Sequence, residues 1–116
     1  MPGIPRVHGR RAGRNSVTGY NGTGRAVATI RMKTDDINDQ TIASLSRIDE
    51  NLAGMGRDRT GILNATIYIA DIAMRGEMDG AWTAWIGGDP AYWPQPAWLQ
   101  SGLARHLIEI TVIAAV

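Results

Sequence analysis

The chain contains neither cysteine nor phenylalanine. Without cysteine there are no disulfides, no thiolate nucleophile and no thiolate metal site, although the redox compartment stays open. Histidine is almost as scarce. His8 and His106 are the only two, and neither stands at a ligand spacing from another ligand. A zinc site needs three or four such groups, so no metal is expected. No apolar run approaches the ~20 residues of a membrane span. The start, Met1-Pro2-Gly3-Ile4-Pro5-Arg6, lacks the apolar stretch of a signal peptide. The expectation is a cytoplasmic protein with no membrane partner. Asn21-Gly22-Thr23 and Asn64-Ala65-Thr66 match the glycosylation pattern but, without secretion, read as accidents of composition.

Acidic residues are missing from positions 1–34, which hold seven Arg or Lys. Positions 35–116 hold five basic and eleven acidic residues, so the net charge of +1 conceals a basic front end. Such a segment attracts nucleic acid or a small anion, or is simply a solvated arm.

What is present is the ordinary content of a globular domain, 44% hydrophobic and 20% charged residues over 116 positions. We read residues 1–116 as a single domain, with 1–13 an irregular arm. Ser16–Tyr20 and Ala26–Met32 flank Asn21-Gly22-Thr23-Gly24, a β-hairpin signal because Asn-Gly readily takes positive φ. Asp35 or Asp36 caps a helix whose stripe is Thr41, Leu45, Ile48, Leu52 and Met55, ended by Gly54 and Gly56. Ile62 to Ile69 alternates as a strand, with Leu63, Ala65, Ile67 and Ile69 on one face. A second helix, about Ala73 to Ile86, carries Met74, Met78, Trp82 and Trp85 on its stripe and is weakened by Gly76 and Gly80. Residues 87–98, with three prolines, read as a loop. Leu107 to Ala114 closes the chain as a strand with Glu109 and Thr111 opposite Ile108, Ile110 and Val112. The order β-β-α-β-α-β, with room for one further strand (β-β-α-β-α-β-β), gives an α+β fold, two helices on one face of a mixed sheet. The other face then needs cover, and self-association supplies it.

The joints are distinctive. They read Asp36-Ile37-Asn38-Asp39-Gln40-Thr41, Tyr68-Ile69-Ala70-Asp71, Met78-Asp79-Gly80-Ala81-Trp82, Pro96-Ala97 and Ile108-Glu109-Ile110-Thr111-Val112-Ile113-Ala114. Over the last two-thirds of the chain this pattern resembles the Rid (reactive intermediate deaminase, YjgF-type) family. The resemblance implies a chorismate-mutase-like fold, a homotrimer with ligand clefts between subunits, and hydrolysis of an enamine or imine without a cofactor. The first 34 residues match only as a hairpin and lack the family's Ser-Gly-Gln, reading Ala28-Thr29-Ile30.

Glu109 is the candidate catalytic residue. A carboxylate on a strand otherwise made of Leu, Ile, Val and Ala is costly to bury unpaired, and a desolvated one can work as a base near neutral pH. The resemblance places it in the cleft, holding the attacking water. The alternative is a structural ion pair with Arg105 or Arg31. Active family members carry Pro-Ala-Arg, whose guanidinium grips a substrate carboxylate with two hydrogen bonds. This chain reads Pro96-Ala97-Trp98, or Pro94-Gln95-Pro96 in the other register, and neither supplies arginine. The usual 2-aminoacrylate substrate is therefore not expected. Arg31 and Arg105 are the substitutes to weigh.

Asp79 stands where the family has Asn and would favour an amine or neutral ligand, unless it is only a helix-surface charge. Trp93 and Trp98 belong to a loop region where flat side chains line pockets or interfaces, whereas Trp82 and Trp85 read as core. Tyr20, beside the hairpin turn, completes the candidate binding set with Arg31, Asp79, Trp93 and Trp98. Gly19-x-x-Gly22-x-Gly24 has the wrong spacing for a dinucleotide fingerprint, and no serine has the context of a nucleophile triad. A non-catalytic metabolite-binding cleft is the rival reading. Nucleic-acid binding or cleavage through the basic arm ranks last, since the arm has no interleaved aromatics.

Overall fold

The computed structural model describes residues 3–30 and 36–116. Six strands and two helices follow one another along the chain. They are β1 (Arg6–His8), β2 (Asn15–Tyr20), β3 (Thr23–Ala28), α1 (Ile37–Ala53), β4 (Ile62–Ile69), α2 (Arg75–Ile86), β5 (Gln95–Gln100) and β6 (Ile108–Ala115). One mixed sheet runs β1-β2-β3-β6-β4-β5; only the β4–β5 pair is parallel.

The hairpin turn is where Asn-Gly places it. Asn21 and Gly22 take φ of 56° and 82°, and Tyr20 pairs with Thr23. Helix α1 begins at Asp36, whose carboxylate accepts from the N–H groups of Asn38 and Asp39 at 2.8 and 3.1 Å. It ends with Gly56 at φ 74°, where the N–H of Arg57 reaches back to the carbonyl of Leu52 at 3.0 Å. The alternative cap Asp35 and the expected strand residue Met32 lie outside the described residues.

Both helices cover the same sheet face. Leu45, Ile48 and Leu52 of α1 and Met78 and Trp82 of α2 bury against Ala26 and Ala28 of β3, Ala65, Ile67 and Ile69 of β4, and Ile108, Ile110, Val112 and Ala114 of β6. The alanines of β3 leave room for α1 to lie close. Each fully buried Ile or Leu contributes roughly 1.5–3 kcal/mol, so this two-layer core, not helix propensity, carries the fold. Asn51 ties α1 to the sheet by donating to the carbonyl of Val27 at 3.0 Å.

Three local readings change. Arg6–His8, inside the stretch taken as an arm, pairs with β2 as a short edge strand. Gln95–Gln100, taken as loop, is the opposite edge strand, and it carries Pro96 where a missing N–H is tolerated. Leu63 is exposed rather than buried, because β4 shifts register between Ile62 and Asn64 and Ile62 takes the inward place.

Candidate functional site

Strand parity decides which side chains share the uncovered face. The buried set on β6 is Ile108, Ile110, Val112 and Ala114, so Glu109, Thr111 and Ile113 point the other way and are half-buried. On β4 the same parity turns Thr66 and Tyr68 outward. Tyr68 pairs directly with Glu109, and Leu99 of β5 pairs with Tyr68. Leu99, Tyr68 and Glu109 therefore form one row across the open face. A second row, Ala97, Thr66, Thr111 and Val27, lies beside it.

Glu109 makes no hydrogen bond or ion pair among the described residues. The alternative pairing with Arg105 is not formed: Arg105 is exposed in the turn where Ala104 takes φ 56°. Arg31, the other candidate partner, lies outside the described residues. The strand that carries Glu109 is anchored at its start. The N–H of Leu107 donates to Gln40 of α1 at 2.9 Å, and the carbonyl of Leu107 accepts from Ala70 at 2.9 Å, so the entry to β6 is held on both sides.

The remaining candidates divide between other places. Trp98 pairs with Ile67, a buried residue, and so faces the helices. Its indole Nε1 donates to the Met78 sulfur at 3.2 Å, and the Arg75 guanidinium stacks 4.1 Å from its ring centroid. Pro96 shares that inward parity. Neither Pro96 nor Trp98 reaches the Glu109 face, and the β5 residues that do are Gln95, Ala97 and Leu99. Asp79 and Trp93 meet in a hollow of about 240 Å³ on the helix side, walled also by Trp82 and Thr83. Trp93 is held there by donating to the Gly87 carbonyl at 2.8 Å. Tyr20 is exposed at the far end of the sheet, where Thr23 joins it to Ala115. Six steps along β6 lead from Ala115 to Glu109, roughly 20 Å at strand rise. Within one chain Glu109, the Asp79–Trp93 hollow and Tyr20 are three separate places. No group of three or more His, Asp or Glu able to hold a metal occurs among the described residues.

A family model described as Endoribonuclease L-PSP matches residues 14–116. The chain belongs to this family, which also bears the YjgF, RutC and Rid names. A RutC family protein of Haemophilus ducreyi (strain 35000HP / ATCC 700724) is 36% identical over 102 residues, 84% of each chain. The RutC family protein YoaB of Escherichia coli (strain K12) is 36% identical over 83 residues, 70% of this chain and 71% of its own. Among solved structures, a YjgF-family protein of Neisseria meningitidis superimposes with a TM-score of 0.87 at 29% identity, covering 97% of this chain and 94% of that one. The L-PSP match begins at Arg14, so it takes in the whole helix-covered sheet except β1.

Tyr68 was not singled out from the sequence, although it has the outward parity of β4 and needed only the pairing with β6 to meet Glu109. The arginines of the β1–β2 connection were seen only as charge.

Proposed function

We propose that three copies of this L-PSP/YjgF chain pack around their open sheet faces and hydrolyse a small enamine or imine in the clefts between them. The observation that carries this reading is Glu109, a half-buried carboxylate without a partner among the described residues, set beside Tyr68 on the uncovered face. The exposed apolar side chains of that face, Val27 and Leu99, support its burial by further copies. The chemistry asks for one carboxylate. Glu109 takes a proton from water as the water oxygen bonds to the C=N carbon. Glu109 returns that proton to the nitrogen, giving a carbinolamine. The hydroxyl proton then passes to the nitrogen through the same carboxylate as the carbon–nitrogen bond breaks and the carbonyl forms, and ammonia leaves. No cofactor takes part in this scheme.

The absence of arginine from β5 argues for a substrate other than 2-aminoacrylate-derived imines. The same absence favours the second reading, a cleft of the same assembly that binds a metabolite without turning it over. In both readings we place the protein in the cytoplasm, and the Asp79–Trp93 hollow supplies a neighbouring copy's contribution to the cleft.

Glu109→Gln separates the readings. Its shape and hydrogen-bonding capacity persist while the base is lost, so turnover of small imines should fall at least ~100-fold with the melting temperature and assembly unchanged. A variant that retains wild-type turnover removes Glu109 from the chemistry. A wild-type protein that binds such compounds without ammonia release supports the binding cleft. Sedimentation of the same samples tests the trimer, and a monomer at micromolar concentration would overturn the assembly.

A further inference from the structure

The basic front end is not spread over the surface. Arg10, Arg11 and Arg14 of the β1–β2 connection and Arg47 of α1 line one open groove of about 340 Å³, with Ser16 and Thr29 in its wall. The connection is a fixed turn rather than a loose arm. Gly13 takes φ 81°, and Gly9 lies so close to the Arg14 carbonyl that any side chain at position 9 would collide with it. The three arginines are thereby presented from one tight turn.

One carboxylate faces these four cations. Glu50 lies 3.1 Å from Arg47 Nε and 3.9 Å from Arg10. The contact with Arg47 is close but misaligned, because Arg47 Nε is buried without a hydrogen bond. Arg11 and Arg14 have no ion pair among the described residues. Four positive charges against one negative leave an excess of three, and clustered guanidinium groups repel one another unless an anion lies between them.

We propose that this groove is a binding site for a small ligand bearing a phosphate-type dianion. Two planar guanidinium forks can each bind such a group through paired hydrogen bonds. The Thr29 hydroxyl can donate to a remaining oxygen, and so can Ser16 on giving up its long 3.5 Å bond to the His8 carbonyl. A single carboxylate would neutralise only one charge of the excess. Among the described residues no aromatic side chain lines the groove, so these offer no stacking platform for nucleic-acid bases. The groove shares no residue with the Glu109 row, although Val27, at the margin of the open face, also lines it.

The test is calorimetric titration of inorganic phosphate into the full chain, with acetate and chloride at matched ionic strength and a single-stranded oligonucleotide as further arms. Phosphate should bind at least ~10-fold more tightly than acetate, chloride should not compete at equal concentration, and the oligonucleotide should bind no more tightly per phosphate. Arg11→Gln combined with Arg14→Gln should weaken phosphate binding at least ~10-fold while leaving the phosphate-free melting temperature unchanged or raised. Glu50→Gln should tighten it. Equal response to acetate or chloride, an unchanged affinity in the double variant, or much tighter oligonucleotide binding would each overturn the proposal.

Discussion

Asp49 and Trp85 join the two helices through a single hydrogen bond, the indole Nε1 donating to the Asp49 carboxylate at 3.0 Å across 36 positions of sequence. The same carboxylate oxygen accepts from Arg59 at 2.8 Å, and Arg59 also donates to the Trp85 carbonyl and stacks 4.7 Å from its ring centroid. Asp49, Arg59 and Trp85 thus clamp α1, the entry to β4 and the end of α2 together.

Because both charged partners are about one-third exposed, the ion pair alone is worth at most ~1 kcal/mol, and the neutral indole bond adds about 1 kcal/mol. Asp49→Ala should therefore lower stability by roughly 1–2 kcal/mol in denaturant unfolding. Asp49→Asn keeps an acceptor for the indole and should cost less than half as much. Equal losses in the two variants would show that charge, not the hydrogen bond, holds the clamp.

The effect of placing an arginine on β5 should depend on strand parity. Ala97 pairs with Thr66 on the open face, whereas Trp98 packs on Met78 beneath Arg75. Ala97→Arg should leave the fold intact and raise the hydrolysis rate of serine-derived imine above the buffer rate, if Glu109 acts as proposed. Trp98→Arg should instead bring a second cation against Arg75 and destabilise the protein by several kcal/mol. Thermal melts and ammonia release on the two variants check both outcomes, and a destabilised Ala97→Arg would contradict the facing assigned to β5.

Asp58 offers a pH-dependent contribution. Hydrogen bonds from the Thr60 hydroxyl and then the Thr60 N–H, with smaller help from Arg57 and Arg59, hold its carboxyl below the ordinary 3.8. A lowered folded-state pKa means its stabilisation is present above pH 3.8 and is lost as pH falls through the folded value. Thr60→Ala removes the larger cause and should move the carboxyl's NMR titration midpoint up toward 3.8, with the backbone bond preserving part of the shift. A midpoint unmoved by the change would assign the effect to the Thr60 backbone N–H and the arginines instead of the hydroxyl.

Much of this architecture is legible in the sequence because it rests on local chemistry. Asn21-Gly22 sets the hairpin, Asp36 and Gly56 bracket α1, and the alternation of Ile108 to Ala114 declares both the buried face and the one odd carboxylate. Strand β5 was hidden because Pro94 and Pro96 are loop signals, and they are acceptable in a strand only at a sheet edge, which is a fact of topology. Leu63 misled for a related reason: one bulge reverses a period-two pattern. The facing of Trp98 depends on its register against Ile67, and no property of residues 94–100 alone carries that. Glu109 stood out by its contrast with its neighbours, while Tyr68 became its companion only through pairing across β4 and β6.

The edges of the sheet bear on how this molecule meets copies of itself. At one end lies a strand of three residues, and at the other a strand interrupted by a proline that has no N–H to offer. Neither rim is a template on which another chain can extend the hydrogen-bonded ladder, so strand-by-strand growth into a ribbon is discouraged at both ends. In the assembly proposed above, contact between copies would fall on the broad uncovered face, where a closed ring of finite size can form and an open filament cannot easily begin.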